Sequence, residues 1–192
     1  MNMRYIFHFF SVLLPLLALN GCGEPEVQGN QYRLDECRRE LLEAKDFDKS
    51  QKIDHIVVVK KDRKMYLFRN GKIQSSFPIS LGKNPIGHKT QRGDNRTPEG
   101  TFWIDRKLCS PKYYRSLCIS YPRPEDVEAA RRRGVDPGGS ITIHAQPTWN
   151  ADGHADNYTL ARNWTQGCVA VTNSAMKQLW YAVREGVPVT IK

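Results

Sequence analysis

A single thiol stands where a strand should begin, in the stretch Trp164-Thr165-Gln166-Gly167-Cys168-Val169-Ala170-Val171-Thr172-Asn173. Val169 and Val171 alternate with Ala170 and Thr172, the period of a half-buried strand, and a helical spacing of Met176, Leu179, Trp180 and Val183 follows at once. Cys168 is thus expected at the mouth of a strand. Gly167 before it allows a close approach of backbone to a bound carbonyl, so N–H groups here could point at a reacting oxygen. A thiol nucleophile needs a base, and His144 closes another strand-like run, Ser140-Ile141-Thr142-Ile143-His144. The chemistry these types support is acyl transfer through a thioester.

The elements that must hold these two strand ends read as a mainly β domain with a few short helices. Ile56-Val57-Val58-Val59 is a short buried run, and Lys61 to Lys64 turns into Met65-Tyr66-Leu67-Phe68. Asn70-Gly71 is the strongest hairpin signal in the chain and leads into Ile73 to Leu81. A polar, glycine-rich loop from Gly82 to Asn95 precedes Arg96-Thr97-Pro98-Glu99-Gly100, a turn that opens another strand at Thr101-Phe102-Trp103-Ile104. Pro124 to Gly134 is a helix with acidic residues in its first turn and basic ones in its last. A final helix is expected from an Asn173 cap to Gly186, and Val187-Pro188-Val189-Thr190-Ile191 as a last strand, at a sheet edge because of its proline.

The 192 residues divide into a leader at 1–22, a polar segment at 23–52 and a folded domain at 53–192. Arg4 and the apolar run from Tyr5 to Leu19 have signal-peptide proportions, too short for a confident membrane span. Leu19-Asn20-Gly21-Cys22 resembles a lipobox, which would make Cys22 a lipidated anchor; an ordinary secretory signal with an incidental Cys22 is the alternative. Export to the periplasm or cell envelope is expected in either case. Within 23–52, Leu34, Cys37, Leu41 and Leu42 share one helical face, either as part of a tether or packed on the domain.

A formal net charge of +9 favours an anionic partner. Without an RNA-binding aromatic signature, zinc-finger spacing or long basic helix, nucleic acid is not the expected one. Anionic lipid and a polyanionic wall polymer remain.

Taken together, Ile143-His144, Thr165-Gln166-Gly167-Cys168-Val169, Ala170-Val171-Thr172-Asn173, Arg96-Thr97-Pro98-Glu99-Gly100, Ile119-Ser120-Tyr121-Pro122 and Gly138-Gly139-Ser140-Ile141 resemble the L,D-transpeptidase catalytic domain, or YkuD domain, across about Ile53 to Lys192. The resemblance implies a β-rich sandwich or barrel-like fold and a Cys168 nucleophile with His144 as its base and Gly167 beside it. It implies Thr165 and Gln166 at the donor, peptidoglycan stem peptides as substrate, and no metal or organic cofactor. A hydrolase of the same family, in which water resolves the thioester, and a silent peptidoglycan-binding lipoprotein are the alternatives. Three positions depart from the family pattern. Ala145 replaces the common glycine after the histidine, Gln166 stands where many members have histidine, and Ala170 where many have arginine. The interval from Gln146 to Asn163 reads as an inserted flap.

Competing roles stay open. Cys168 could instead be half of a disulfide, and His154, in the loop Asp152-Gly153-His154-Ala155-Asp156, is a rival base or a substrate contact. Arg92, Arg96 and Arg162 are loop cations able to meet stem-peptide carboxylates. A local Cys109–Cys118 bridge across Tyr113-Tyr114-Arg115 would leave Cys37 unpaired; simple packing of Cys118 is the other reading. His144, His154 and Cys168 have metal-binding residue types, but no short-spaced ligand pair anchors a metal.

Overall fold

Asn70 and Gly71 both take left-handed backbone, with φ of 51° and 72°, which a tight two-residue hairpin turn requires. They fold β2 (Lys64–Arg69) back on β3 (Lys72–Pro78), while β2 also pairs antiparallel with β1 (His55–Val59). The computed structural model describes residues 25–43 and 52–192. The leader at 1–22, and with it Cys22, lies outside the described residues.

The remaining elements are α1 (Pro25–Glu43), β4 (Gly100–Ser110), β5 (Tyr114–Ile119), α2 (Pro124–Arg132), β6 (Thr142–His144), α3 (Asp156–Leu160), β7 (Val169–Ala170), α4 (Asn173–Ala182) and β8 (Pro188–Ile191). Among the described residues they form one eight-stranded sheet in the order β3-β2-β1-β8-β4-β5-β6-β7. Beyond β3 the chain crosses to the far end of that order, where Ser80 and Ala170 exchange backbone hydrogen bonds of 2.9 and 2.8 Å. The two ends of the sheet are thereby brought together, in keeping with a barrel-like β fold.

Alternation decides which faces are inside. Ile56 and Val58 of β1, Met65 and Leu67 of β2, Phe102 and Ile104 of β4, and Val189 and Ile191 of β8 are all buried. Met176, Leu179 and Trp180 bring the apolar face of α4 into the same core. Thr172, rather than Asn173, caps that helix: its hydroxyl accepts the Ala175 N–H at 3.1 Å.

Three expectations are corrected. β8 is not at an edge but sits between β1 and β4. Pro188 is its first residue and pairs only with Trp103 at the end of the ladder, so its missing N–H interrupts nothing. β5 carries no clear strand pattern in sequence, because Arg115 breaks the apolar run; its charge is tolerated in the interior through pairing with Glu40 of α1.

The disulfide is the third. Cys37 bonds Cys109, and Cys118 is free and buried. In the β4–β5 register Cys109 faces Arg115 while Cys118 faces Arg106, three positions away. At about 3.4 Å per residue that is roughly 10 Å, beyond the reach of a bridge. The same bond ties α1 to β4. Leu34 and Cys37 are buried there, whereas Leu42 is 77% exposed and off the expected face.

Candidate active site

β6 and β7 lie side by side and parallel, with Ile143 opposite Val169 and His144 opposite Ala170. One step back along both strands, Cys168 falls opposite Thr142, whose hydroxyl lies 3.6 Å from the Cys168 sulfur as a donor. Residues two apart in a strand share a face, so His144 is on the same side as Thr142 and diagonal to the thiol. Such diagonal neighbours have Cα atoms about 7–8 Å apart, within reach of a longer side chain. Both line one cleft of about 710 Å³. The sulfur also lies 3.7 Å from the Ser140 carbonyl oxygen.

The imidazole is fully prepared for one role. His144 Nδ1 is 2.7 Å from the carbonyl oxygen of Ala145. A carbonyl only accepts, so Nδ1 carries the hydrogen and Nε2 keeps the lone pair. Nε2 is buried with no hydrogen-bond partner among the described residues. Ala145 in place of glycine therefore leaves the orienting carbonyl where it is needed. Tyr113 stacks on the imidazole at a ring distance of 3.8 Å, and Trp164 approaches its edge at 5.6 Å. His144 is consequently 0% exposed. Desolvation holds its pKa down at about 4, with the Ala145 hydrogen bond opposing and the Lys112 charge assisting. The imidazole is therefore neutral at physiological pH.

Thr165 organises the loop that delivers the thiol. Its hydroxyl donates to the Cys168 carbonyl at 2.7 Å and accepts the Gly167 N–H at 3.1 Å. The Gly167 N–H is thus engaged inside the loop. Its φ is +130°, and a Cβ there would lie 2.6 Å from the Arg96 carbonyl oxygen, so the position demands glycine.

Of the other expected residues, Gln166 and Arg162 line the cleft, the latter with its guanidinium 3.9 Å from the Tyr158 ring centre. Arg96 and His154 are not among the cleft-lining residues. Arg96 turns towards Gly87, and exposed His154 is bound by Asp152 through a contact of 2.6 Å. The structure adds Lys83, Lys112, Tyr113, Trp149, Tyr158 and Trp164 to the walls, with no carboxylate among the described lining residues. The aromatics lie in segments without periodic patterning, so only the surplus of basic residues hinted at this surface.

The segment from Gln146 to Asn163 is a pinned wall rather than a loose flap. Asn150 is buried and bonds Gln146 and Asp156, Asn173 Nδ2 donates to the carbonyls of Asn150 and Ala151, and Ser80 Oγ donates to the Thr159 carbonyl. Among the described residues no group of three His, Cys, Asp or Glu side chains could hold a metal ion.

Cys118 lies two strands from the thiol, and burial pushes its pKa up. Alkylation of the native protein should therefore modify Cys168 and spare Cys118, and Cys118→Ser should label as wild type does; peptide mapping that finds the label on Cys118 would contradict this.

Comparison with known proteins gives a consistent result. The L,D-transpeptidase catalytic domain (YkuD) family model matches residues 53–191. Among solved structures, Bd1075 of Bdellovibrio bacteriovorus is 26% identical, covering 76% of this chain and 49% of that one, with a TM-score of 0.52. The helical cell shape determining protein Pgp2 of Campylobacter jejuni is 24% identical over 85% of this chain and 55% of its own, with a TM-score of 0.54. The chain therefore spans about half the length of these two proteins. No curated protein matches.

Proposed function

Because the chain belongs to the L,D-transpeptidase catalytic-domain family, we propose that it is a cysteine acyltransferase of the cell envelope that works on peptidoglycan stem peptides. The observation that carries this reading is the His144 tautomer. Its Nδ1–H is held by the Ala145 carbonyl and its free Nε2 lone pair shares a cleft with the unbridged Cys168 thiol.

In the proposed reaction His144 Nε2 takes the Cys168 proton as the sulfur attacks the carbonyl on the L-side of the third stem residue. The tetrahedral intermediate collapses, the C–N bond breaks, and His144 returns the proton to the departing D-alanine amine. A thioester remains on Cys168. An acceptor amine, deprotonated by His144, then attacks it and regenerates the thiol. Lys83, Lys112 and Arg162 supply the cationic wall that stem-peptide carboxylates would meet. Gly167 and Thr165 position the nucleophile rather than react.

Mass spectrometry of purified muropeptides incubated with the protein tests this. Cross-linked dimer or exchanged D-amino acid is the expected product. A trimmed stem would assign water as the acceptor and make the enzyme a hydrolase of the same family. Unchanged muropeptides would leave a binding protein.

Export is supported by the Cys37–Cys109 bond, since such bonds persist in oxidising compartments. With Cys22 as a lipid anchor, the native protein partitions into detergent and Cys22→Ser moves it to the aqueous phase or blocks its processing. Unchanged partition of Cys22→Ser would remove the lipid anchor from the account.

A further inference from the structure

Helix α1 lies outside the segment matched by the family model, yet three of its side chains converge on the turn that covers His144. Cys37 is bonded to Cys109 at the end of β4. Glu36 accepts a 2.5 Å hydrogen bond from the Tyr114 hydroxyl. Glu40 accepts from Arg115 in a two-pronged contact, Nε at 2.8 Å and Nη2 beside it, and also from Tyr181 of α4. Three of these four attachments fall on residues 109–115. The other side of this turn presents Tyr113, whose ring lies 3.8 Å from the imidazole at an interplanar angle of 18°. A further contact reaches the segment from Gln146 to Asn163, where Arg33 Nη1 donates to the Ala151 carbonyl at 2.8 Å.

The turn needs this support. Tyr114 has a φ of 63°, a left-handed conformation uncommon for a bulky residue, which persists only where surroundings enforce it. Arg115 is 5% exposed, and a guanidinium so placed requires a charge partner. Glu40 is the carboxylate that supplies one. Arg115 also couples the turn to the base through the backbone, because its carbonyl accepts the Ala145 N–H at 3.2 Å, next to the carbonyl that orients His144.

We propose that α1 is a working part of the active site: a clamp, locked by the Cys37–Cys109 bond, that holds the β4–β5 turn so that Tyr113 covers and orients His144. Tyr113 is then a positioning residue for the base, and this rests on the reading of His144 as that base. A chain with α1 released retains its thiol and imidazole but loses the fit between them. Without Glu40 the Arg115 charge is drawn towards water, the turn follows, and Tyr113 leaves the imidazole face. Water then reaches His144 and its basicity climbs towards that of a free imidazole. Lys112 of the turn is the charge that acts on the ring; Lys83, Arg162 and the Cys168 thiol line the same cleft, and Trp164 covers a ring edge without charge.

The test compares wild type with the Cys37→Ala, Cys109→Ala double variant, with Glu40→Gln, and with Tyr113→Leu and Tyr113→Phe, each in the full chain. Cys168 alkylation rate against pH is read beside kcat and KM on muropeptides, with circular dichroism as the fold check. The double variant, Glu40→Gln and Tyr113→Leu should each lose between about ten- and a hundredfold in kcat, the scale set by small misplacements of a catalytic group. KM should change far less, and the low-pH limb of alkylation should move upward. Tyr113→Phe keeps the stacked ring and should recover most of the kcat that Tyr113→Leu loses, with the alkylation limb back towards its wild-type position; a Phe variant as impaired as Leu would overturn the stacking role. A folded double variant with wild-type kcat and an unmoved alkylation limb would overturn the clamp. If the double variant fails to fold, Glu40→Gln and Tyr113→Leu decide, and wild-type profiles in both overturn it equally. The alkylation limb needs no substrate, so inactivity of wild type on muropeptides would count against the proposed function and leave this comparison standing.

Discussion

Cys168→Ala is expected to abolish turnover and leave the fold in place. The sulfur is half-buried and its polar contacts are two long ones, to the Thr142 hydroxyl and the Ser140 carbonyl, so removing it opens no sizeable core cavity. The loop around it keeps its own supports, because Thr165 bonds the backbone of residues 167 and 168 rather than the thiol. A thermal melt close to wild type is therefore expected together with a rate loss of at least about four orders of magnitude, the scale seen when a covalent nucleophile is removed. Residual wild-type turnover in a folded Cys168→Ala protein would end the thiol reading. Cys118 offers no substitute, being buried with its ionisation disfavoured.

His144→Gln should cost about two or more orders of magnitude in kcat/KM, the range for loss of a general base. A glutamine amide has no lone pair of useful basicity to replace Nε2. His154→Gln should stay near wild type, since that ring is exposed, held by Asp152 and outside the cleft lining. Large loss in His154→Gln with little in His144→Gln would reverse the assignment.

The same pair of variants carries a stability signature. The His144 pKa falls from 6.5 to about 4 on folding, so the unfolded chain binds the proton that the folded one refuses. Its contribution is absent above about pH 6.5, and stability drops as pH falls from there towards 4, by on the order of 3 kcal/mol in total. Denaturant melts across this interval should show a shallower decline in His144→Gln than in wild type. Parallel curves would mean that the imidazole is wetter than the Tyr113 and Trp164 cover implies.

The strand-end placement of the two residues is legible because Cys168 directly precedes one short period-2 run and His144 closes another, and Asn70-Gly71 specifies its hairpin locally. What escaped depended on partners distant in sequence. Arg115 reads as a surface charge until Glu40, 75 residues away, is brought to it. Cys109 and Cys118 look like neighbours until the β4–β5 register sets them three positions apart. Arg96 reads as a loop cation able to meet a stem-peptide carboxylate, yet its backbone, not its side chain, meets the site, through the carbonyl that crowds Gly167. Pro188 suggested an edge, but a proline at the first position of an inner strand loses no ladder bond.

The covalent intermediate tests the central claim most directly. Protein is mixed with a muropeptide carrying a tetrapeptide stem, acceptor amine is withheld, the reaction is quenched in acid, and intact mass is followed by peptide mapping. The account predicts an adduct equal to the stem minus its terminal D-alanine, mapped to Cys168 and missing from Cys168→Ala. An adduct on any other residue, or one that survives Cys168→Ala, would contradict it.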